Sequence, residues 1–585
     1  MKADVLRRLA AFSTRKPLTI LGLLAMVSLG IYAAIAKLSW QFMPGGESIE
    51  RPILVVVVLL GVVFACYLIG IFVAIHARDD RRLLAIIVLT GIAFRLSMLY
   101  SWPIQEIDIY RYLWDGAVTV SGISPYRYSP EQVLARSGNE PLPGDLQRLV
   151  ALRDSSPALA TILSRVHYGE LPTIYPPVSQ AVFAFVTLLT PEETGVLGRI
   201  VIMKVALVLF DLATLIVVIG LVRLAGKHVG WSLAYAWCPL VIKEIANTGH
   251  LDAVTVFLMT LALFFVVRLL TTCKMARTAP RGVLLGFVSA VLLGLAVGAK
   301  LYPIVLGPLF AVTWWRWFGW RKALLLTIGL LVIVALLLWP MVPAISIPQA
   351  EEKEPPAIVN GDLPPPPENT VTTDAQDPSR GLKTFLRRWE INDFLFMLMV
   401  ENLKPAASAG ARQQPWFAVT PEAWRGRLLE APVRWLQLDI ASTSFLVTRF
   451  ITAALFVFIA LWLAWHARLS DDPNVWLRAA FLTLAWLWLL SPTQNPWYWT
   501  WALPLVMFTR SKAWLVISGL VLMYYLRFWF SCHWPDASVP GTGYRGTAFF
   551  DFVVTWLEFG PWFIWLGIDG CRWRRTVTAN VKRPP

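Results

Sequence analysis

The chain has 585 residues, of which 57% are hydrophobic and 15% charged, and its mean hydropathy is +0.59. That is too apolar and too sparsely charged for a water-soluble globule of this length, so the bilayer must be its solvent. The formal net charge of +15 does not point to nucleic acid, because Lys and Arg gather between hydrophobic spans rather than on one face; positive-inside topology accounts for them.

The N-terminus, Met1 to Lys16, is basic and leads into an apolar run with no obvious small-residue cleavage site, which predicts a first transmembrane helix rather than a signal peptide. A spanning helix needs ~20 apolar residues, and residues 17–36, 52–75 and 83–100 satisfy that rule. With Lys2, Arg7, Arg8, Arg15 and Lys16 cytoplasmic, residues 76–82 fall inside and the loop 101–175 falls outside. Further apolar segments cover 178–190, 199–222, 231–246, 254–270, 283–299, 304–317, 323–343, 445–465, 476–490, 497–508, 513–530 and 552–568. Residues 274–281, 316–322, 466–478, 510–512 and the tail from Arg572 fit the cytoplasm.

One parity conflict arises. Between Tyr175 outside and Arg223, Lys227 and His228 inside stand two segments, where an odd number is required. The segment 178–190 is short enough to be a half-helix, so the expected total is 13 to 15 helices. The expected organisation is N-terminal transmembrane helices (1–100), a first long extracytoplasmic loop (101–175), a central transmembrane module (176–345), a second extracytoplasmic loop (346–444), and C-terminal transmembrane helices with a basic cytoplasmic tail (445–585). Residues 351–380, rich in Pro and acids, predict a linker. Beyond it Trp389, Asn392, Phe394, Trp416 and Trp424 predict amphipathic segments on the membrane surface. The five cysteines, Cys66, Cys238, Cys273, Cys532 and Cys571, stand singly, so neither a disulfide nor zinc is expected.

The loop after the third helix crowds acids, arginines and aromatics: Glu106, Asp108, Tyr110, Arg111, Tyr112, Trp114 and Asp115, then Tyr126. A carboxylate near the bilayer surface can act as general base toward a sugar hydroxyl, and tyrosines can stack on sugar rings. The alternative is an interfacial helix whose charges pair in water. Cations at the outer ends of helices, Lys300, His250 and Arg95, suit a departing phosphate, because holding charge at that depth is costly. Against this, Lys300 could snorkel to headgroups, and Arg95 could pair with a nearby acid. His250 and Asp252 fit substrate or carrier contact. They could also be one ligand pair of a metal site, but no second cluster has suitable spacing, so no metal is assigned. Lys243 and Glu244 could pair with each other. Gln494, Asn495, Trp497 and Tyr498 form another outer turn able to contact sugar, and Trp389 and Asn392 are weaker acceptor candidates. No P-loop or Gly-rich strand-to-helix turn exists for a nucleotide sugar.

An ordered series of motifs resembles glycosyltransferases of the C superfamily, GT-C, specifically bacterial and archaeal polyprenyl-phosphate-mannose-dependent mannosyltransferases. It reads Glu106-Ile-Asp108-Ile-Tyr110-Arg111-Tyr112-Leu-Trp114-Asp115-Gly116, Ser124-Pro125-Tyr126, Tyr175-Pro176-Pro177, Gly249-His250-Leu251-Asp252, Gly298-Ala299-Lys300-Leu301-Tyr302-Pro303, Trp389-Glu390-Ile391-Asn392 and Ser491-Pro492-Thr493-Gln494-Asn495-Pro496-Trp497-Tyr498. The resemblance implies an all-α polytopic membrane enzyme with extracytoplasmic amphipathic helices. It implies an inverting displacement with Asp108 as base, Glu106 and Asp115 in reserve, a polyprenyl phosphate sugar donor, and a glycan, glycolipid or protein acceptor. The rival class is a transporter or flippase of a lipid-linked saccharide, whose acids would line a path through the bilayer rather than gather in an outer loop.

Overall fold

In a computed structural model of the chain, residues 16–137, 141–272, 280–342, 372–405 and 413–581 are described. The expected basic N-terminus except Lys16, the loop 274–281 except its last two residues, and most of the 351–380 linker lie outside them. The described residues are helical with no strand beyond isolated bridges. Eleven helices among them are long and apolar enough to cross a membrane. Helix is the form that satisfies every backbone donor and acceptor within one segment where no water is available.

Three expected spans are interrupted instead, and proline accounts for each. After the helix Val196–Leu224, the chain returns through Leu233–Ala236, Pro239–Val241 and a π-helical turn Ile242–Asn247. Pro239 has no N–H to continue a helix, and every residue from Ser232 to Asp252 is buried, so the irregular backbone is sheltered by protein. Pro303 and Pro308 break the second into Tyr302–Leu306 and Gly307–Phe318, and Pro496 and Pro504 break the third into Pro496–Trp499 and Leu503–Phe508. These three broken segments are not among the eleven long helices, which are fewer than the expected 13 to 15.

The parity conflict falls on helix Pro177–Leu189, which is shorter than the eleven long apolar helices. Helix Pro177–Leu189 lies against Ile109–Val120 in the first loop: a Cβ on Gly116 would meet Thr187 Oγ1 at 2.5 Å, and Tyr112 stacks on Phe183 with centroids 4.7 Å apart. Lys204, only eight residues into Val196–Leu224, already meets Met98 and Ser101 at the end of Arg81–Leu99.

The segment around 389–394 does not lie on the surface as expected. Ile391 pairs with Thr493, Asn392 and Phe394 are buried, and Phe394 stacks on Phe559 at 5.3 Å. The later part does match an amphipathic surface segment: Glu422–Leu436 buries Arg425 and Leu429 and exposes Trp424 and Trp435. The outcome is that loops 100–108, 247–252, 300–302, 389–393 and 491–498 meet at one end of the bundle.

Candidate functional site

Asp108 is placed by the backbone that precedes it. The Asn247 amide accepts from Ile104 N at 3.1 Å and donates to Ser101 Oγ and Trp102 O, both at 2.7 Å. Lys204 Nζ donates to Met98 O at 3.1 Å and Ser101 O at 2.9 Å. These bonds pin the exit from helix Arg81–Leu99. Gln105, in the left-handed region at φ 66, turns the chain and accepts from Arg51 at 3.1 Å. Asp108 then opens helix Ile109–Val120, yet its carboxylate caps no backbone N–H and is 30% exposed. Its nearest basic neighbour is His250, with Nδ1 4.0 Å from Asp108 Oδ2.

His250 itself is buried. Nε2 lies 3.3 Å from Glu244 Oε2, and the ring stacks on Trp497 with centroids 4.3 Å apart. Glu244 also receives the Tyr525 hydroxyl at 2.6 Å and lies 3.3 Å from Lys243 Nζ, which in turn contacts Tyr525. The pairing expected of Lys243 and Glu244 is therefore present, but inside a larger network. Glu106 faces this group: burial lifts its carboxyl to about 7, against the pull of Lys243 and His250 and reinforced by Asp108 and Glu244.

The second half of the site centres on Lys300, just beyond helix Pro280–Ala299. Its Nζ donates to both carboxylate oxygens of the buried Asp252, at 2.7 and 2.9 Å, and sits 4.4 Å from the Tyr498 ring centroid. Trp501 Nε1 donates to Asp252 at 2.5 Å, and Trp501 is sandwiched between Tyr302 (3.8 Å) and Tyr498 (4.4 Å). Tyr498 and Tyr112 both feel the charges of Asp108 and Asp252, which places the two halves side by side. Lysine carries three donors; Asp252 takes two, and Lys300 remains 18% exposed.

Other expected site residues serve the frame. Arg111 donates to the carbonyls of Leu171, His167 and Tyr168, Tyr110 accepts from Arg165, and Tyr126 donates to Tyr175 O. Asp115 is buried against Gln180 and Thr173, and burial raises its pKa. Arg95 gives its donors to Asp211 and to the carbonyls of Gly91 and Ala236, with Tyr235 closing on Asp211 at 2.6 Å. It is sealed inside the bundle, so the pairing alternative describes its surroundings. Gln494 holds Leu489 O and Ser491 O, and Asn392 bridges Gln494 O and Glu558. Asn495 precedes the short helix that carries Trp497 and Tyr498, and Trp389 packs edge-on against Tyr168.

Sequence reasoning missed Asn247, Lys204, Trp501 and Tyr525 as parts of this region. Lys204 and Asn247 did carry a signal, since a lysine within an apolar span and an amide beside one are expensive there and are kept for a purpose. Among the described residues no group of three or more His, Cys, Asp and Glu is disposed to hold a metal.

A family model described as "Alpha-(1->6)-mannopyranosyltransferase, N-terminal domain" matches residues 20–316, just over half of the chain. That span contains Asp108, His250, Asp252 and Lys300, whereas the 389–393 and 491–498 segments lie beyond it. No curated protein and no solved structure matches the chain.

Proposed function

The chain belongs to the alpha-(1->6)-mannopyranosyltransferase family and is a multi-pass membrane mannosyltransferase, and from that premise we propose that it takes mannose from a polyprenyl phosphate donor and transfers it, with inversion, to a glycan or lipid-linked acceptor on the extracytoplasmic face. Asp108 is the base in this reading. The acceptor hydroxyl loses its proton to the carboxylate as its oxygen bonds to the anomeric carbon, and the bond to the phosphate oxygen breaks with its electron pair. The third donor of Lys300 meets the charge that develops on the phosphate. Tyr498, which is only partly buried, supplies ring surface for the sugar.

The observation that carries the reading is a partly exposed carboxylate with no capping duty at the same end of the bundle as a lysine with a donor to spare. The extracytoplasmic assignment is supported by charge: Arg223, Lys227, Arg316, Arg468 and Arg510 fall at the opposite ends of the helices, as positive-inside topology requires. An α-(1→6) linkage follows the family description. The test is incubation of the purified protein with radiolabelled polyprenyl phosphate mannose and a mannan oligosaccharide. Label is expected to move to the oligosaccharide in the native protein and to stay on the lipid in Asp108→Asn. Full transfer by that variant removes Asp108 as the base.

A further inference from the structure

The end of the bundle away from Asp108 carries a cavity of about 200 Å³ that the transfer reaction does not use. Asp108 follows the end of helix Arg81–Leu99, whereas this cavity lies beside the last turns of helix Ile53–His76, just before Arg81–Leu99 begins. Leu68, Ile71 and Ile75, at i, i+3 and i+7, form one wall, and Leu515 and Val516 form the other. A pinch between the two helices opens it. A Cβ on Gly519 would meet the Phe64 ring at 2.4 Å, so the helices touch there, and one turn closer to Lys512 they part. At the rim Phe72 is 42% and Trp565 41% exposed, both within spanning segments, so the mouth faces the bilayer.

Lys512 closes the polar end of this groove. It stands at the N-cap of helix Ala513–Leu520 without capping it, is exposed, and gives its ammonium to none of the described residues. The acids of the neighbourhood are committed elsewhere: Asp569 takes the Ser511 hydroxyl at 2.6 Å, and Asp79 takes Val229 N at 3.2 Å. A second cation, Lys227, lies 5.7 Å from the ring of Trp231, another lining residue, but is already opposed by Asp472. What remains is an apolar slot about 10 Å long with a free ammonium at its mouth. We propose that it binds one anionic phospholipid, with an acyl chain along Leu68, Ile71 and Ile75 and the phosphate on Lys512. The Trp231 and Trp565 indoles then flank the headgroup, the level such rings favour. A neutral lipid would fill the slot and leave the ammonium unpaired, while the sugar donor belongs to the opposite end, where Lys300 stands. On the orientation proposed above the leaflet is the cytoplasmic one; binding in the groove does not depend on that orientation.

The test is native mass spectrometry of the full chain, delipidated in detergent and titrated with phosphatidylglycerol or phosphatidylcholine of equal chain length. One phosphatidylglycerol should bind with a Kd about fivefold below that of phosphatidylcholine, the attraction of one lysine for an anionic lipid. Lys512→Gln, an exposed change that breaks no hydrogen bond, should make the two lipids equal. Arg321→Gln, which removes another exposed cation read as cytoplasmic, should keep the difference. Val516→Trp should fill the groove and weaken both lipids about tenfold, as two displaced methylenes would. Equal affinities in the native protein, a difference that survives Lys512→Gln, or one that Arg321→Gln also abolishes overturns the site, because Lys512 then does not read the phosphate. Undiminished binding to Val516→Trp removes the groove as the seat of the chain. Polyprenyl phosphate that outcompetes phosphatidylglycerol and depends on Lys512 gives the slot to the donor and overturns the proposal as well. Because the readout is binding, Asp108→Asn should take up phosphatidylglycerol as the native protein does, so the fate of the proposed base and that of the lipid site are read separately.

Discussion

Asp252 grips Lys300 through both carboxylate oxygens, at 2.7 and 2.9 Å, while Trp501 donates to the same carboxylate from behind. The ammonium is thus fixed in place with one donor left over, a geometry suited to binding a phosphate oxygen and poorly suited to snorkelling. Lys300→Ala should lower kcat/KM for the polyprenyl phosphate donor about 10- to 100-fold, the loss of one charge-assisted hydrogen bond. Steady-state kinetics with varied donor check this, and unchanged donor kinetics would take Lys300 out of the phosphate site.

Arg95 makes a contrasting case. Its ion pair with Asp211 is sealed, and Gly91, Ala236 and Tyr235 complete the hydrogen bonds. Breaking a buried pair by removing one member costs about 3–5 kcal/mol, because the other charge is stranded. Arg95→Ala should therefore reduce the yield of folded, membrane-inserted protein and its melting temperature. The fraction that does fold should use donor with native KM. Replacing both residues, as Arg95→Met with Asp211→Leu, should recover much of the loss. A raised donor KM in the folded fraction would return Arg95 to the phosphate site.

The Glu106 carboxyl yields a pH prediction with a definite sign. Burial lifts its pKa from 4.5 to about 7, so the folded protein holds this proton more tightly than the unfolded chain. The stabilisation is complete below about 4.5 and is lost as pH rises through about 7. Glu106→Gln carries no such proton. Melting temperatures in detergent should show the native protein gaining on Glu106→Gln as pH falls from about 8 to about 5, across the window set by the two pKa values. Parallel curves would mean the carboxyl is solvated at all pH values.

How far the sequence carried this picture depends on what each residue interacts with. Apolar runs located the helices because membrane burial is a property of a segment and needs no partner. Asp108, His250, Asp252 and Lys300 stood out because charge at the end of an apolar run is costly wherever it lies. Partner choice was not legible. Arg95 and Lys300 looked alike in sequence, each a cation near an outer helix end, and only packing gave one a sealed aspartate 116 positions away and the other an aspartate that leaves a donor free. The segment 389–394 misled for the same reason: its aromatics suit an interface, but Ile391 finds Thr493 and Phe394 finds Phe559. Proline explains the broken crossings after the fact, since a proline within an apolar run leaves open whether the run kinks, ends or passes through in pieces.

Gly249 connects the backbone frame to Asp108, the proposed base. It lies at φ +77, and a Cβ there would come within 2.8 Å of Ile109 Cδ1 and 3.1 Å of Lys204 Cγ. Ile109 directly follows Asp108, and Lys204 holds the backbone of Ser101. Gly249→Ala therefore strains the turn by about 1–2 kcal/mol from the left-handed backbone alone and pushes on both supports of the carboxylate. A misplacement of about 1 Å at a reacting group can cost on the order of 100-fold in rate. The expected outcome is a modest drop in melting temperature and a much larger fall in kcat. Gly307→Ala, where a Cβ meets nothing within 4 Å, should leave both quantities alone. If Gly249→Ala lowers kcat no more than Gly307→Ala does, the turn does not position Asp108 and the link from frame to base is broken.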